Sequence, residues 1–239
     1  MRGLHIRHFG ENAVMIDWPE ESGEVILQEI LACDEFLRSR FKIDLIETVI
    51  SYRAVVAYFK TNKKSAEIID ILQRELTLKS VRLAQTAISI VPVCYANEFG
   101  PDLDFLVAQT GLSTSEVIEI HTKPVYTVRF IGFLPGFPYL SSLDKLLHTP
   151  RKSTPRRTVA AGSVAIGGAQ TGVYTMDSPG GWHVLGRSPL QFFSPRKNPP
   201  SLFAPGDRLK FKAVSQEEYL RIEEKLRLGQ YNLENITND

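Results

Sequence analysis

Residues 163–187 read SVAIGGAQTGVYTMDSPGGWHVLGR, and this stretch decides the fold. The runs SVAIG, GVYT and WHVLG are short, apolar and rich in β-formers, and the glycine-bearing segments GGAQTG and SPGGW separate them. Strands this short, with no room between them for a crossover helix, fit an antiparallel barrel or sandwich and not βαβ units. A phosphate-cradling glycine loop should open a helix. Here the glycines lie between strand-like runs, so they read as hairpin turns.

The same texture extends from Tyr126 to Val214, through YTVRF on one side and LQFF and RLKFKAV on the other. In DRLKFKAV a period of two puts Leu209, Phe211 and Ala213 on one face and Arg208, Lys210 and Lys212 on the other. Upstream, ISIVPVCY predicts a strand. EFGPDLDFLVAQTG predicts a helix with Pro101 in its first turn and Gly111 as its C-terminal cap. Ser113 and Glu116 have capping-box spacing for a short helix running toward His121. SQEEYLRIEEKLRL predicts a closing helix with the pair Ser215/Glu218, followed by a polar tail.

The first third has a different rhythm. LHIRHF and AVMIDW flank GEN as a hairpin, and residues 24–40 place Ile26, Ile30, Cys33 and Leu37 on one helical face. DLIETVISYRAVVAYF holds two more strands around a polar break, and KKSAEIIDILQREL a second helix. The expected class is therefore α+β for residues 1–88 and mainly β with short helices for residues 89–239, with the boundary within about residues 85–92.

Composition narrows function by exclusion. The chain of 239 residues is 43% hydrophobic and 23% charged, with a net charge of +1. That balance predicts neither nucleic acid nor an anionic membrane as partner. No signal peptide and no membrane-length apolar run is read, so a cytoplasmic location is expected. Cys33 and Cys94 read as reduced, half-buried thiols. There is no Walker loop, Rossmann glycine pattern, HExxH or zinc spacing, so no metal site is expected. GSVAIGG and DSPGG lack the GxSxG elbow of a serine nucleophile.

The polar candidates lie in the second part. His121 stands at a predicted helix end, where the dipole favours its protonated form; it is either a surface histidine or a catalytic group. Arg151, Arg156 and Arg157 sit in TPRKSTPRRTV, a loop stiffened by Pro150 and Pro155. It is either a carboxylate or phosphate clamp or a solvated basic loop. Glu98 and Asp102 flank Gly100-Pro101 as possible acids or as partners of a helix N-terminus.

PVCYANEFGPDLDFLVAQTGLSTSEVIEIH, YTVRFIGFLPGFPYL, TPRKSTPRRTVAAGSVAIGGAQTGVYTMDSPGGWHVLGRSPL and LFAPGDRLKF together resemble the allophanate hydrolase subunit 1 family. That family includes the sporulation-kinase inhibitor KipI and the B subunit of bacterial 5-oxoprolinase. The ordered motifs GFxPGFxYL, PRxxxPRxxV, GSVAIxG and SPGGW carry the likeness, and FGENAVMI and ISYRAVVAYF extend it into the first third. The chain departs from the pattern at Gly10-Glu11-Asn12, where Gly-Asp is expected, at VAAGS in place of VPAGS, and at His183 after GGW.

The resemblance implies a cyclophilin-like barrel behind a small α+β domain. It also implies the role of the B subunit of a 5-oxoprolinase, inactive alone. Its partners would be a C subunit of the allophanate hydrolase subunit 2 type and an A subunit, with ATP and Mg held through the complex to open 5-oxoproline to glutamate. A KipI-like inhibitor docking on a histidine kinase, or a role in allophanate and urea metabolism, stands as the alternative. IGFLPGFPYL, residues 131–140, is read as a stiff apolar rim leaving a barrel strand at Phe133, with Phe137 and Tyr139 as wall or contact surface. The polar groups of the pocket would come from His121, Arg151, Arg156, Ser163 and Gln170, with Glu98 and Asp102 as acids.

Overall fold

The computed structural model of the chain describes residues 3–19, 23–60, 65–77, 87–96 and 98–236. The chain divides into two units, Met1–Ala84 and Gln85–Asp239.

In the first unit, strands β1 (His5–His8) and β2 (Ala13–Asp17) form the expected hairpin around Gly10, whose φ of +77° suits glycine. Helix α1 (Glu24–Arg40), strands β3 (Leu45–Ile50) and β4 (Ala54–Phe59) and helix α2 (Ser65–Glu75) follow. The sheet order is β1-β2-β4-β3, antiparallel throughout. The periodic face of α1, Ile26, Ile30, Cys33 and Leu37, packs with Val14, Ile16, Val55 and Phe59 of the sheet and Ile68 and Leu72 of α2. Burial there, with Asp34 alongside, pushes the Cys33 thiol up to about 12. Lys63 and Lys64, read as the start of the second helix, lie outside the described residues.

The second unit opens with β5 (Ile88–Cys94) and helices α3 (Leu103–Thr110) and α4 (Thr114–Thr122). Strands β6 (Tyr126–Ile131), β7 (Pro138–Leu140), β8 (Arg156–Val159), β9 (Ser163–Gly167), β10 (Gln170–Val173), β11 (Ser178–Gly180), β12 (His183–Arg187) and β13 (Arg208–Val214) follow. Helix α5 (Gln216–Arg227) and the short β14 (Asn235–Ile236) end the unit. The order β5-β12-β9-β10-β7-β6-β13 closes on itself because β13 pairs back onto β5, and the ring is a seven-strand barrel. β8 and β11 form a separate two-stranded ribbon.

Closure departs from the antiparallel expectation at one seam. β13 runs parallel to β5 in register from Arg208↔Ile88 to Val214↔Cys94. No hairpin links these two strands; the whole barrel lies between them in sequence, so direction is set by closure and not by a turn. LQFF forms no strand, only an isolated bridge between Phe193 and Ser201; Pro189 and Pro195 around it remove ladder donors. GGAQTG is a hairpin turn between β9 and β10, with Gly168 at φ +66°. The alternation in β13 buries Leu209 and Phe211, while Ala213 is exposed near the strand end.

The barrel core holds Val91, Tyr126, Val128, Ile166 and Phe211, joined by Leu106 from α3 and Val117 from α4. The capping box at Ser113/Glu116 is complete in both directions, whereas Ser215 only accepts from the Glu218 backbone N–H. Gly111 ends α3 in the left-handed conformation as expected. Pro101 lies just before α3, not in its first turn, and Asp102 occupies the N-cap position without capping.

Gly100 explains how that helix start reaches the barrel. A Cβ at this position would stand 2.1 Å from the Leu185 carbonyl oxygen of β12. Only the missing side chain lets the segment lie flat on the strand. We expect Gly100→Ala to lower unfolding free energy by roughly 1–3 kcal/mol, the ordinary range for overpacking. Urea denaturation checks this, and an unchanged midpoint would show that β12 yields freely.

Candidate functional site

The stretch 131–140 turns sharply after β6. Phe133 takes φ +67° and is 61% exposed, while Phe137 is 1% exposed. Leu134 N–H bonds to Gly132 O, and Phe137 N–H to Leu134 O. The turn therefore directs one phenylalanine outward and one into the protein.

Phe137, with Tyr139, Tyr174 and Trp182, walls a pocket of about 330 Å³ whose lining includes Phe133, Arg151, Lys152 and Pro155. The rings meet edge to face: Phe137 on Tyr174 at 88° and 5.3 Å, Phe137 on Trp182 at 84° and 5.6 Å, and Tyr139 on Trp182 at 80° and 5.7 Å. Glycine makes the arrangement possible, since a Cβ at Gly180 would stand 2.2 Å from the Tyr174 hydroxyl. Burial raises the Tyr139 phenol, against the pull of Arg151, and burial likewise raises that of Tyr174, against a backbone hydrogen bond from Trp182. Both phenols stay neutral and able to donate.

The cations beside the pocket divide into committed and free. Asp102 is 3% exposed. Its Oδ1 accepts from Lys152 Nζ at 3.0 Å and Arg156 Nη2 at 2.7 Å, and its Oδ2 accepts from Arg156 Nη1 at 2.5 Å and the Val184 N–H at 2.7 Å. Burial alone would raise this carboxyl, but the bonds from Arg156, Val184 and Lys152 outweigh it and hold it below the usual range. Arg151 has no acidic partner among the described residues, and its guanidinium carbon lies 5.6 Å from the Trp182 ring centroid.

Residues 4–203 match the family described as carboxyltransferase domain, subdomain C and D. The chain belongs to that family. It is 34% identical to the 5-oxoprolinase B subunit of Bacillus subtilis (strain 168), covering 90% of this chain and 94% of that protein. It is 50% identical to the 5-oxoprolinase B subunit of Escherichia coli O157:H7 over 54% of this chain and 58% of that one. Among solved structures, TTHA0988 superposes with a TM-score of 0.76 at 32% identity over 88% of this chain, which spans 41% of that protein's length.

Within this carboxyltransferase-domain chain the structure brings Arg151, Phe137 and Tyr139 together at the pocket. The other candidates fall elsewhere. His121 is fully buried in the barrel, stacked on Phe211 at 4.8 Å, and burial pushes its imidazole down to about 3. The helix-end expectation of a protonated, catalytic histidine is thereby corrected: loss of solvent outweighs the dipole. Thr171 donates to Ala165 O at 3.0 Å, so its oxygen accepts from His121 Nε2 at 3.1 Å, and Nδ1 accepts from the Tyr95 hydroxyl at 2.8 Å. His121 is a neutral link in a core hydrogen-bond chain.

Asp102 is corrected from acid to ion-pair centre, and Arg156 from ligand clamp to its partner, because the two forks already face each other. Glu98 is exposed, outside the pocket, and accepts from Gln216 Nε2. Ser163, buried on β9, and Gln170, on β10, lie in the barrel wall outside the pocket lining, and Arg157 is exposed on β8. Tyr174 and Trp182 were missed, because aromatics in strand-like runs read first as core, and Lys152, because the basic loop TPRKSTPRRTV was read through its arginines. SPGGW was the available signal: paired glycines before an indole mark a close approach. Among the described residues no group of three His, Cys, Asp or Glu is placed to hold a metal ion.

The depressed histidine has a pH consequence. An unfolded His121 binds its proton near pH 6.5 and the folded one only near 3. Its contribution to stability is therefore complete above 6.5 and lost as pH falls toward 3. His121→Gln, which can keep both hydrogen bonds, should flatten the stability profile between pH 6 and 4 by up to about 1.4 kcal/mol per pH unit. Denaturant titrations across that range check this; an identical slope in both proteins would contradict it.

Proposed function

We propose that this chain is the B subunit of a 5-oxoprolinase that converts 5-oxo-L-proline to L-glutamate with ATP. The observation that carries the reading is the pairing of a match along 94% of the Bacillus subtilis protein with an aromatic pocket that has one uncommitted guanidinium at its rim. A small ring with a carboxylate suits such a lining. In this reading the barrel is cyclophilin-like, the first unit is a small α+β domain, and the protein works in the cytoplasm.

ATP and Mg are assigned to the assembled complex. The GGAQTG turn joins β9 to β10, and a phosphate cradle calls for a turn that opens a helix. The partners are a C subunit of the allophanate hydrolase subunit 2 type and an A subunit. No helix of the described residues is long and apolar enough to cross a membrane.

Co-expression with the A and C subunits, followed by an ATP-dependent glutamate-release assay on 5-oxo-L-proline, tests the function. Turnover is expected from the three together and not from this chain alone. A complete complex without turnover, or full turnover by the lone chain, would overturn the proposal.

A further inference from the structure

We infer that the aromatic pocket is itself a binding site for a small cyclic carboxylate. Arg151 receives the carboxylate, Trp182 and Tyr139 flank the ring, and Asp102 is the positioning residue that aims Arg151. The choice of 5-oxo-L-proline within that ligand class rests on the function proposed above; the site rests on its own geometry.

The charges around the pocket are divided. Lys152 and Arg156 spend their strongest donors on Asp102. Arg151, one residue from Lys152, has no such commitment among the described residues and lies over the indole that walls the pocket. A guanidinium offers two parallel N–H groups, the match for a carboxylate. The neutral Tyr139 and Tyr174 phenols add donors suited to a carbonyl or amide oxygen. Apolar walls with so few polar groups fit a compact ring, not a polyphosphate.

The loop that carries Arg151 is held on both sides. The Pro150 carbonyl accepts from His183 Nε2 at 3.0 Å, and Lys152 N–H donates to Gly181 O at 2.7 Å. Both backbone neighbours of Arg151 are thus fixed to the segment that carries Trp182. Asp102 then fixes the Lys152 side chain and the far end of the loop at Arg156. Asp102 is itself pinned to β12 twice, by its N–H to Val184 O at 3.0 Å and by Val184 N–H to its Oδ2. The loop is thus held on both sides of Arg151, while the Arg151 side chain makes no ion pair among the described residues.

The test uses the full chain and its two tryptophans, whose indole N–H signals are followed by NMR. 5-Oxo-L-proline should shift the Trp182 signal and leave Trp18 unmoved. Arg151→Ala and Arg151→Lys should each weaken 5-oxo-L-proline binding about tenfold or more. 2-Pyrrolidinone, the same ring without the carboxylate, should bind wild type and Arg151→Ala alike. Asp102→Asn should weaken 5-oxo-L-proline binding and shift the Trp182 signal in the ligand-free protein, and both effects should vanish in the Arg151→Ala background. If Asp102→Asn does not fold, Arg156→Lys, which keeps the charge and loses the fork, reports the same coupling.

Losses that simply add in the double variants would show that Asp102 only stabilises the fold, and would overturn its positioning role. An unmoved Trp182 signal with 5-oxo-L-proline, in a complex that still turns it over, would overturn the site and leave the function standing. Binding with the expected pattern, in a complete complex that releases no glutamate, would support the site and sink the function.

Discussion

One buried carboxylate organises the second unit. Taking Asp102 out of water costs several kcal/mol unless its oxygens are matched, and here every strong acceptor direction is used: a bidentate arginine, a lysine and a backbone N–H. Because those donors come from β12, from the loop before β8 and from β8 itself, the charge cannot be satisfied unless all three lie in place. Gly100 lets the carboxylate's own segment reach β12. The pair is weak evidence for net stability but strong geometry, since losing Asp102 would leave two cations without their carboxylate.

Barrel closure supplies the other constraint. The parallel seam of β5 and β13 joins the beginning of the second unit to its end, so the pocket walls between them in sequence are held in a closed ring with no free edge at that seam. Phe137, Tyr174 and Trp182 come from separate segments, and the glycines at 172 and 180 leave room for the rings. The aromatic cluster around Phe137 is distinct from the main barrel core. That separation allows a pocket to open there without cutting into the packing that holds the barrel shut.

Charge roles were then settled by solvent. His121 and Arg151 are both nitrogen-bearing candidates, yet one is sealed among Phe211, Tyr95 and Tyr126 and the other meets the pocket. Low dielectric makes the histidine a neutral hydrogen-bond link. For the arginine, what matters is whether a carboxylate of this chain has already claimed it. Asp102 claims Arg156 and leaves Arg151.

The sequence by itself determined what depends on near neighbours. The strand runs of 163–187, the glycine turn at 168, the capping box at Ser113/Glu116, the Gly111 cap and the buried face of α1 all follow from spacing and backbone chemistry within a few residues. The motifs also carried the family. Tertiary structure alone decided the parallel direction of β13, the burial of His121, the pairing of Asp102 with Arg156 and the meeting of Tyr174 with Trp182. These turn on contacts between residues far apart in the chain. A carboxylate and an arginine 54 positions apart leave no periodic trace, because nothing local to either records that the other will arrive.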